Sequence, residues 1–345
     1  MPKEIQIDKF LELSKTDPII DVRSPGEYEH AHIPGALSLP LFSNEERAEI
    51  GTFYKQRGRV KAVQRGLEIV GPKLGGFAKF ALALKSDNIL IHCWRGGMRS
   101  SSMAWLLEQV GIECSLLTGG YKSYRGHVLK SFEKPLKIVL LGGYTGSGKT
   151  DLIKLLKEQG EQVLDIEGLA CHKGSAFGAI GQGDQPSGEY FENLLSLEVE
   201  ALDSERVVWI EDESRNVGKV FIPEALWSWM RQSPLVRVEA SFETRMERLM
   251  RDYGCYPVDL LSASIKKIEK RLGYDKCKLA LDACERGDIA TAAQISLLYY
   301  DKAYGNQLET RFGERLSQLP SVNFDGVNAT ECVAKLKEAA KEIKF

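Results

Sequence analysis

A chain of 345 residues with 43% hydrophobic and 27% charged residues is too long for one ordinary core and suits two globular domains, which excludes a disordered protein and a small disulfide-stapled one. A formal net charge of −2 excludes global attraction to nucleic acid, so any RNA contact must come from a local basic patch. No apolar run approaches the ~20 residues needed to span a bilayer, and Asp, Glu and Lys recur through the first twenty residues, unlike a secretory leader; a cytoplasmic protein without membrane contact is expected.

Cysteines at 93, 114, 171, 255, 277, 284 and 332 include no C-x-x-C pair, which argues against a disulfide framework and a zinc site. Most are expected to be small buried hydrophobes. In chain order, residues 1–130 alternate short β runs with helical stretches: strands at Ile19–Val22 and Ile89–His92, a helix over Arg99–Val110, a strand at Cys114–Leu117. Gly126–Pro135 reads as a polar connector, which places a domain boundary near residue 130 and divides the chain into 1–130 and 131–345. The second half opens on the strand Lys137–Leu141, a glycine loop and the helix Lys149–Glu158, with a later strand at Val207–Ile210. From about residue 257 the pattern is mostly helical, and a last helix is opened by Asn328 with Glu331 three residues on. Strand–helix alternation in both halves predicts two parallel-sheet α/β units, the second with a helical C-terminal part.

The segment Ile89-Leu-Ile-His-Cys93-Trp-Arg-Gly-Gly-Met-Arg99-Ser is an apolar strand followed by a cysteine, glycines, arginines and a helix. A loop wrapped around a cysteine at a helix N-terminus points backbone N–H groups at the sulfur. With Arg95 and Arg99 nearby the thiolate is favoured, its pKa falling from ~8.5 toward ~3.5–7.5. The spacing His92-Cys93-x-x-Gly96-x-x-Arg99-Ser100 fits the tyrosine-phosphatase signature H-C-x-x-G-x-x-R-[ST], which alone would suggest phosphate-ester hydrolysis. Upstream, Ile20-Asp-Val-Arg23, Glu27-Tyr28 and His32-Ile-Pro-Gly-Ala36 resemble the first half of rhodaneses instead, and Leu117-Thr-Gly-Gly120 resembles the segment that closes that domain. The cysteine loop is one residue longer than in ordinary rhodaneses, leaving room for a larger group, a phosphate or selenium.

Gly143-Tyr-Thr-Gly146-Ser147-Gly148-Lys149-Thr150 fits G-x-x-x-x-G-K-[ST] between a strand and a helix. Its backbone N–H groups face a phosphate chain, Lys149 adds a point charge, and Thr150 offers a ligand to Mg²⁺. The acids Glu211-Asp212-Glu213 after the 207–210 strand offer a second metal contact, or merely cap the next helix. The motif implies a phosphate chain without saying whether a nucleotide carries it.

A rhodanese-like domain followed by a P-loop domain, with His-Cys93-Trp-Arg-Gly-Gly-Met-Arg-Ser as the cysteine loop, resembles the bacterial tRNA 2-selenouridine synthases over nearly the whole chain. Gly51-Thr-Phe-Tyr-Lys-Gln56 and Arg65-Gly66 resemble that family's insertion between the two rhodanese halves. His172-Lys173-Gly-Ser175-Ala-Phe-Gly178 resembles its H-R-G-S-x-F-G motif, Lys173 standing where Arg is usual, and Glu211-Asp-Glu-Ser-Arg215 its E-D-E-[SG]-R motif. The lysine keeps the charge but loses the guanidinium fork.

The resemblance implies a transferase acting on wobble 2-thiouridine of the tRNAs for Lys, Glu and Gln. The sulfur is geranylated from geranyl diphosphate, then S-geranyl is replaced by selenium from selenophosphate, a selenophosphate synthetase being the source of that donor. No tightly bound cofactor is implied beyond Mg²⁺ through Thr150. Cys93, with Arg95 and Arg99, is the expected catalytic group, as a nucleophile or as the carrier of selenium. Gly66, Trp94, His172, Lys173, Ser175, Asp212 and Arg215 are expected around the substrate. For tRNA the candidates are Tyr121, Lys122 and Arg125, then Arg245, Arg248 and Arg251, then Lys266, Lys267, Lys270 and Arg271; Trp94 or a junction tyrosine offers a base a stacking surface. Tyr299, Tyr300 and Tyr304 read as core packing. A cysteine phosphatase fused to a small-molecule kinase is the competing enzyme, and a non-catalytic RNA- or nucleotide-binding protein the competing binder; intact Cys93 and Lys149 speak against the latter.

Overall fold

A computed structural model describes residues 2–325, 328–343 and 345. The chain forms two compact units, Met1–Ser131 with Glu192–Ser196, and Phe132–Phe191 with Leu197–Phe345. The expectation of two parallel-sheet α/β units, the second with a helical C-terminal part, is met.

In the first unit β1 (Lys3–Ile5), β2 (Ile19–Asp21), β3 (Leu37–Ser38), β4 (Asn88–His92) and β5 (Glu113–Leu117) form one parallel sheet in the order β1-β5-β4-β2-β3. The central strands carry continuous apolar runs because helices cover both faces. Ile20, Ile89, Ile91, Met103 and Leu107 form the middle of that core, and the register sets Asp21 beside His92. Between β3 and β4 runs the helical segment Asn44–Val70, broken at Gly58. Its start is fixed by a capping box: Ser43 Oγ accepts from the Glu46 N–H, and the Glu46 carboxylate accepts from the Ser43 N–H.

The supposed connector is half helix. Gly120–Ser131 is one helix through Gly126, because Tyr121, Tyr124 and Val128 recur at helical spacing and are all buried. One glycine does not break a helix whose buried stripe holds it.

In the second unit β6 (Lys137–Gly142), β7 (Gln162–Val163), β8 (Val207–Glu211), β11 (Leu235–Glu239) and β12 (Ser321–Asn323) form a parallel sheet in the order β12-β11-β6-β8-β7. A short antiparallel pair, β9 (Asn216–Val217) and β10 (Val220–Phe221), follows β8. With β6 central and β8 beside it, the loops at their carboxyl ends lie where open α/β sheets bind ligands. The last helix, Ala329–Lys341, starts where Asn328 accepts from the Thr330 N–H, and buries Cys332, Val333, Leu336 and Ala340. The helices Val258–Lys267, Tyr274–Glu285 and Ile289–Phe312 build a separate core around Leu261, Ile265, Cys277, Ala280 and Cys284. Cys93, Cys114, Cys277, Cys284 and Cys332 are buried, Cys171 is intermediate and Cys255 exposed. No helix among the described residues is long and apolar enough to cross a membrane.

Candidate active sites

In the first unit, β4 ends at His92 and the helix Met98–Gln109 begins six residues later, with Cys93 at the base of the turn, only 3% exposed. Its Sγ accepts from the Gly97 N–H at 3.2 Å and lies 3.3 Å from Ser100 Oγ. Burial alone raises the thiol. The Ser100 hydroxyl and the N–H groups of Gly97, Ser100 and Arg95 outweigh it, so Cys93 sits below the ordinary thiol range. Hydrogen bonds, rather than the arginines, are the main source of that depression. Cys114 differs: burial and Glu108 push it up to about 12.

The loop is held shut by Leu117-Thr-Gly-Gly120. The N–H groups of Tyr121 and Lys122 donate to the carbonyls of Cys93 and Trp94 at 2.8 and 3.0 Å. Gly120 has φ +61°, and a Cβ there would lie 2.4 Å from the Cys93 carbonyl oxygen and 2.5 Å from the Gly96 nitrogen. Only glycine fits that crossing.

Arg99 does not reach across the loop. Its guanidinium pairs with Glu27 at 2.8 Å, a carboxylate that also holds Arg47 at 3.3 Å. Arg95 is exposed. Arg23 is buried, pairs with Asp21 at 2.6 Å and lies 3.8 Å from the Tyr121 ring centre. His92 is fully buried and pushed down by desolvation, so it is neutral. The Asp-Val-Arg motif is therefore a buried brace beneath the cysteine loop. Trp94 lies partly exposed at the loop's edge, 5.7 Å from the Tyr121 ring. Gly66 is buried on the 44–70 segment, facing the Phe42 ring.

In the second unit the loop Gly143–Gly148 leads from β6 into the helix Lys149–Glu158, and Gly143, Gly146 and Gly148 all have positive φ. It forms one wall of a cavity of about 390 Å³, which Lys149, Thr150, Lys173, Ser175, Asp212 and Tyr300 also line. Lys149 Nζ donates to the Gly143 carbonyl at 2.9 Å. Tyr304 accepts from the Gly143 N–H at 3.0 Å and donates to Asp212 at 3.1 Å. Asp212 also pairs with Arg311 at 3.0 Å, so it braces the cavity from below. Arg215 lies outside: it is exposed and pairs with Glu224 at 2.6 Å.

The acids that do meet are Glu167, Glu211 and Glu213, each with a carboxylate oxygen within 4.8 Å of the others. Burial, then Glu211 and Glu213, pushes Glu167 up to about 10; burial, then Glu211, pushes Glu213 up to about 7. Glu167 and Glu213 share a hydrogen bond, and Thr150 bonds Glu211. Three carboxylates beside a P-loop hydroxyl are hard oxygen donors that fit Mg²⁺. Sequence reasoning missed Glu167, which lies 44 residues before Glu211 and carries no motif of its own.

A second cavity shares Thr145, Ser175, Leu249, Tyr253 and Tyr300 with the first. Elsewhere its lining is mostly apolar: Phe177, Met250, Leu261, Ile265 and Leu297 are among its walls, and the one further hydroxyl, Ser296, donates to the Ala292 carbonyl at 2.9 Å. The His172–Gly178 segment joins the two. Lys173 and Ser175 face the P-loop cavity, Phe177 lines the apolar chamber, and the Ala176 N–H donates to Tyr300 at 3.0 Å. His172 is buried, and its charged form is disfavoured by that burial and by Lys267. Tyr300 and Tyr304, expected as core packing, are cavity walls.

The expected RNA residues divide sharply. Tyr121 is buried with its hydroxyl accepting from Asn193 at 2.8 Å, and Arg125 pairs with Glu192. Arg245 donates to the Thr145 carbonyl and pairs with Asp301; Arg248 donates to the Ser147 carbonyl. These two brace the P-loop. Arg251 pairs with Asp151 and Asp252. Lys122, Lys266, Lys267, Lys270 and Arg271 are exposed or partly so.

Residues 6–127 match the model of the rhodanese-like domain, and residues 136–321 that of the tRNA 2-selenouridine synthase AAA domain. Proteins named tRNA 2-selenouridine synthase are similar over most of the chain. One from Cupriavidus pinatubonensis is 36% identical, covering 85% of this chain and 89% of its own. One from Nitrosomonas europaea is 38% identical over 72% and 67%, and one from Pseudomonas fluorescens 37% over 78% and 73%. A low-pKa cysteine loop in a rhodanese-like unit and a P-loop unit carrying the synthase motifs thus occur together along one chain, which belongs to the tRNA 2-selenouridine synthase family.

Proposed function

We propose that the enzyme converts wobble 2-thiouridine of tRNA to 2-selenouridine in two steps, with the P-loop unit binding geranyl diphosphate and the Cys93 loop serving the selenium step. The observation that carries the assignment of the P-loop is the apolar chamber that shares a wall with the phosphate cavity. A nucleoside entering it would leave polar edges unpaired against Phe177, Leu261 and Leu297, at a cost of roughly 1–3 kcal/mol each. A prenyl chain has no such edges, and each carbon it buries contributes ~0.8 kcal/mol.

In the first step the 2-thio sulfur attacks C1 of the donor, the C1–O bond breaks, and diphosphate leaves as the uridine loses its N3 proton. Lys149 and the loop N–H groups take the charge that develops on the leaving oxygens. Glu211, with Glu167 and Glu213, would hold Mg²⁺ beside Thr150, where the ion would neutralise the same charge. In the second step selenide, released as selenophosphate is hydrolysed to phosphate, replaces geranylthiolate at C2. A thiolate at Cys93 would displace geranylthiolate by attack on C2, and selenide would then displace the Cys93 thiolate from C2, returning the free cysteine. The phosphatase reading is disfavoured by Arg99, which that chemistry needs across the loop and which Glu27 holds.

Donor length tests this reading. Shortening the prenyl chain from ten carbons to five removes ~4 kcal/mol of burial at ~0.8 kcal/mol per carbon, so kcat/KM for dimethylallyl diphosphate should fall by up to ~10³-fold. Phe177→Trp should fill the chamber and narrow that preference. Equal use of both donors, or competition by ATP at its own affinity, would remove the prenyl assignment.

A further inference from the structure

The helical segment Asn44–Val70 is an antiparallel hairpin. Gly58, at φ +81° and ψ 172°, reverses the chain, and Arg65 returns to pair with Glu49 at 2.6 Å. Residues 54–61 are exposed without interruption, Tyr54 at 58% and Val60 at 71%. They include Lys55, Arg57, Arg59 and Lys61, and no acid occurs between Glu49 and Glu68. Among the described residues none of those four forms an ion pair. Arg57 lies over the Phe53 ring at 4.9 Å.

Four unpaired cations at one tip repel one another. Within the fold only Arg57, over the Phe53 ring, has a side-chain partner among the described residues, and no acid offsets the charge of the four. A polyanion relieves that repulsion, and two arginines offer forks that match phosphate oxygens. From the tip a cleft lined by Tyr54, Lys55, Arg47 and Arg99 runs to the helix that carries Ser100. In it Arg47 and Arg99 share the single carboxylate of Glu27, leaving one positive charge in excess.

We infer that this hairpin is an RNA-binding arm: its tip cations take backbone phosphates of the substrate tRNA, Tyr54 stacks on an unpaired base, and the cleft leads the strand to the cysteine loop. The inference rests on the reading that the substrate is a tRNA. The Gly51–Gln56 and Arg65-Gly66 motifs mark this segment as an insertion but not as an RNA surface, because the cations flank a glycine that breaks the helical period and only the turn gathers them at one end.

The test is tRNA binding by the full chain across a KCl series. Lys55→Ala, Arg57→Ala, Arg59→Ala and Lys61→Ala combined should lower affinity at least ~10-fold near ~0.1 M salt. The slope of log K against log salt should become shallower by roughly 0.7–0.9 for each phosphate the variant no longer neutralises. Tyr54→Ala should lower affinity with the slope retained, and Arg57→Lys with Arg59→Lys should keep the slope. Far-UV circular dichroism should show the hairpin folded in every variant. Wild-type affinity and slope in the quadruple variant would overturn the arm while leaving the tRNA substrate intact. No salt-dependent tRNA binding by the unaltered protein would overturn the functional reading itself. Loss of poly-glutamate binding alone, with tRNA binding unchanged, would overturn the inference in favour of an acidic protein partner.

Discussion

At the scale of single residues, the groups that donate to Cys93 favour its thiolate. The sulfur is buried, yet Ser100 and three backbone N–H groups hold it below the ordinary thiol range. Removing one such donor is worth ~1.4 kcal/mol, or about one pKa unit. Ser100→Ala should therefore move the midpoint of Cys93 alkylation up by about one pH unit, since the thiolate loses a donor that the thiol does not need. Mass mapping of iodoacetamide adducts across pH separates Cys93 from the exposed Cys255. An unmoved midpoint would mean that Ser100 does not act on the thiolate. The sequence made the cysteine and the N–H nest legible through glycine spacing at a strand end. It did not reveal the direction of Arg99, because Glu27 lies 72 residues away and wins the guanidinium by geometry. Arg215 and Tyr121 illustrate the same limit: a motif names the residue, and packing decides whether it faces a ligand.

At the scale of elements, strand positions were readable within one or two residues wherever an apolar run met glycine, as at β4 and β6. The helix through Gly126 was not, because one glycine outweighed a buried stripe of Tyr121, Tyr124 and Val128 in the reading. The crossing of Gly120 over the cysteine loop joins two segments into one unit. A methyl group at Gly120 would lie 2.4 Å from the Cys93 carbonyl oxygen, and φ +61° adds about 1–2 kcal/mol of strain for any other residue. Gly120→Ala should cost about 2–4 kcal/mol of stability and raise the Cys93 midpoint by opening the nest, whereas Gly126→Ala, with nothing within 4 Å of its added carbon, should leave both near wild type. Urea denaturation and the alkylation profile read the two effects. A Gly120→Ala protein of full stability with a closed loop would contradict the crossing as described.

At the scale of the whole molecule, the division into two units sets the largest question, which is whether each carries one half of the chemistry. Motif order along the chain already suggested two sites. What sequence could not supply was the apolar chamber, whose walls come from segments near 177, 250, 261 and 297, of which only the first lies in a motif. That chamber supports a prenyl diphosphate as the ligand of an otherwise ambiguous phosphate loop, and it makes the two steps separable. The most direct measurement monitors each half-reaction alone, by mass spectrometry of tRNA nucleosides, in wild type and Lys149→Ala, with and without ATP. In the proposed reaction Lys149 would stabilise a departing diphosphate, and none would depart in the second step. Geranylation in the variant should fall by at least ~10²-fold, selenation of pre-geranylated tRNA should proceed at close to the wild-type rate, and ATP should be dispensable to both. Equal loss of both steps, or an absolute requirement for ATP, would contradict the division of labour between the two units.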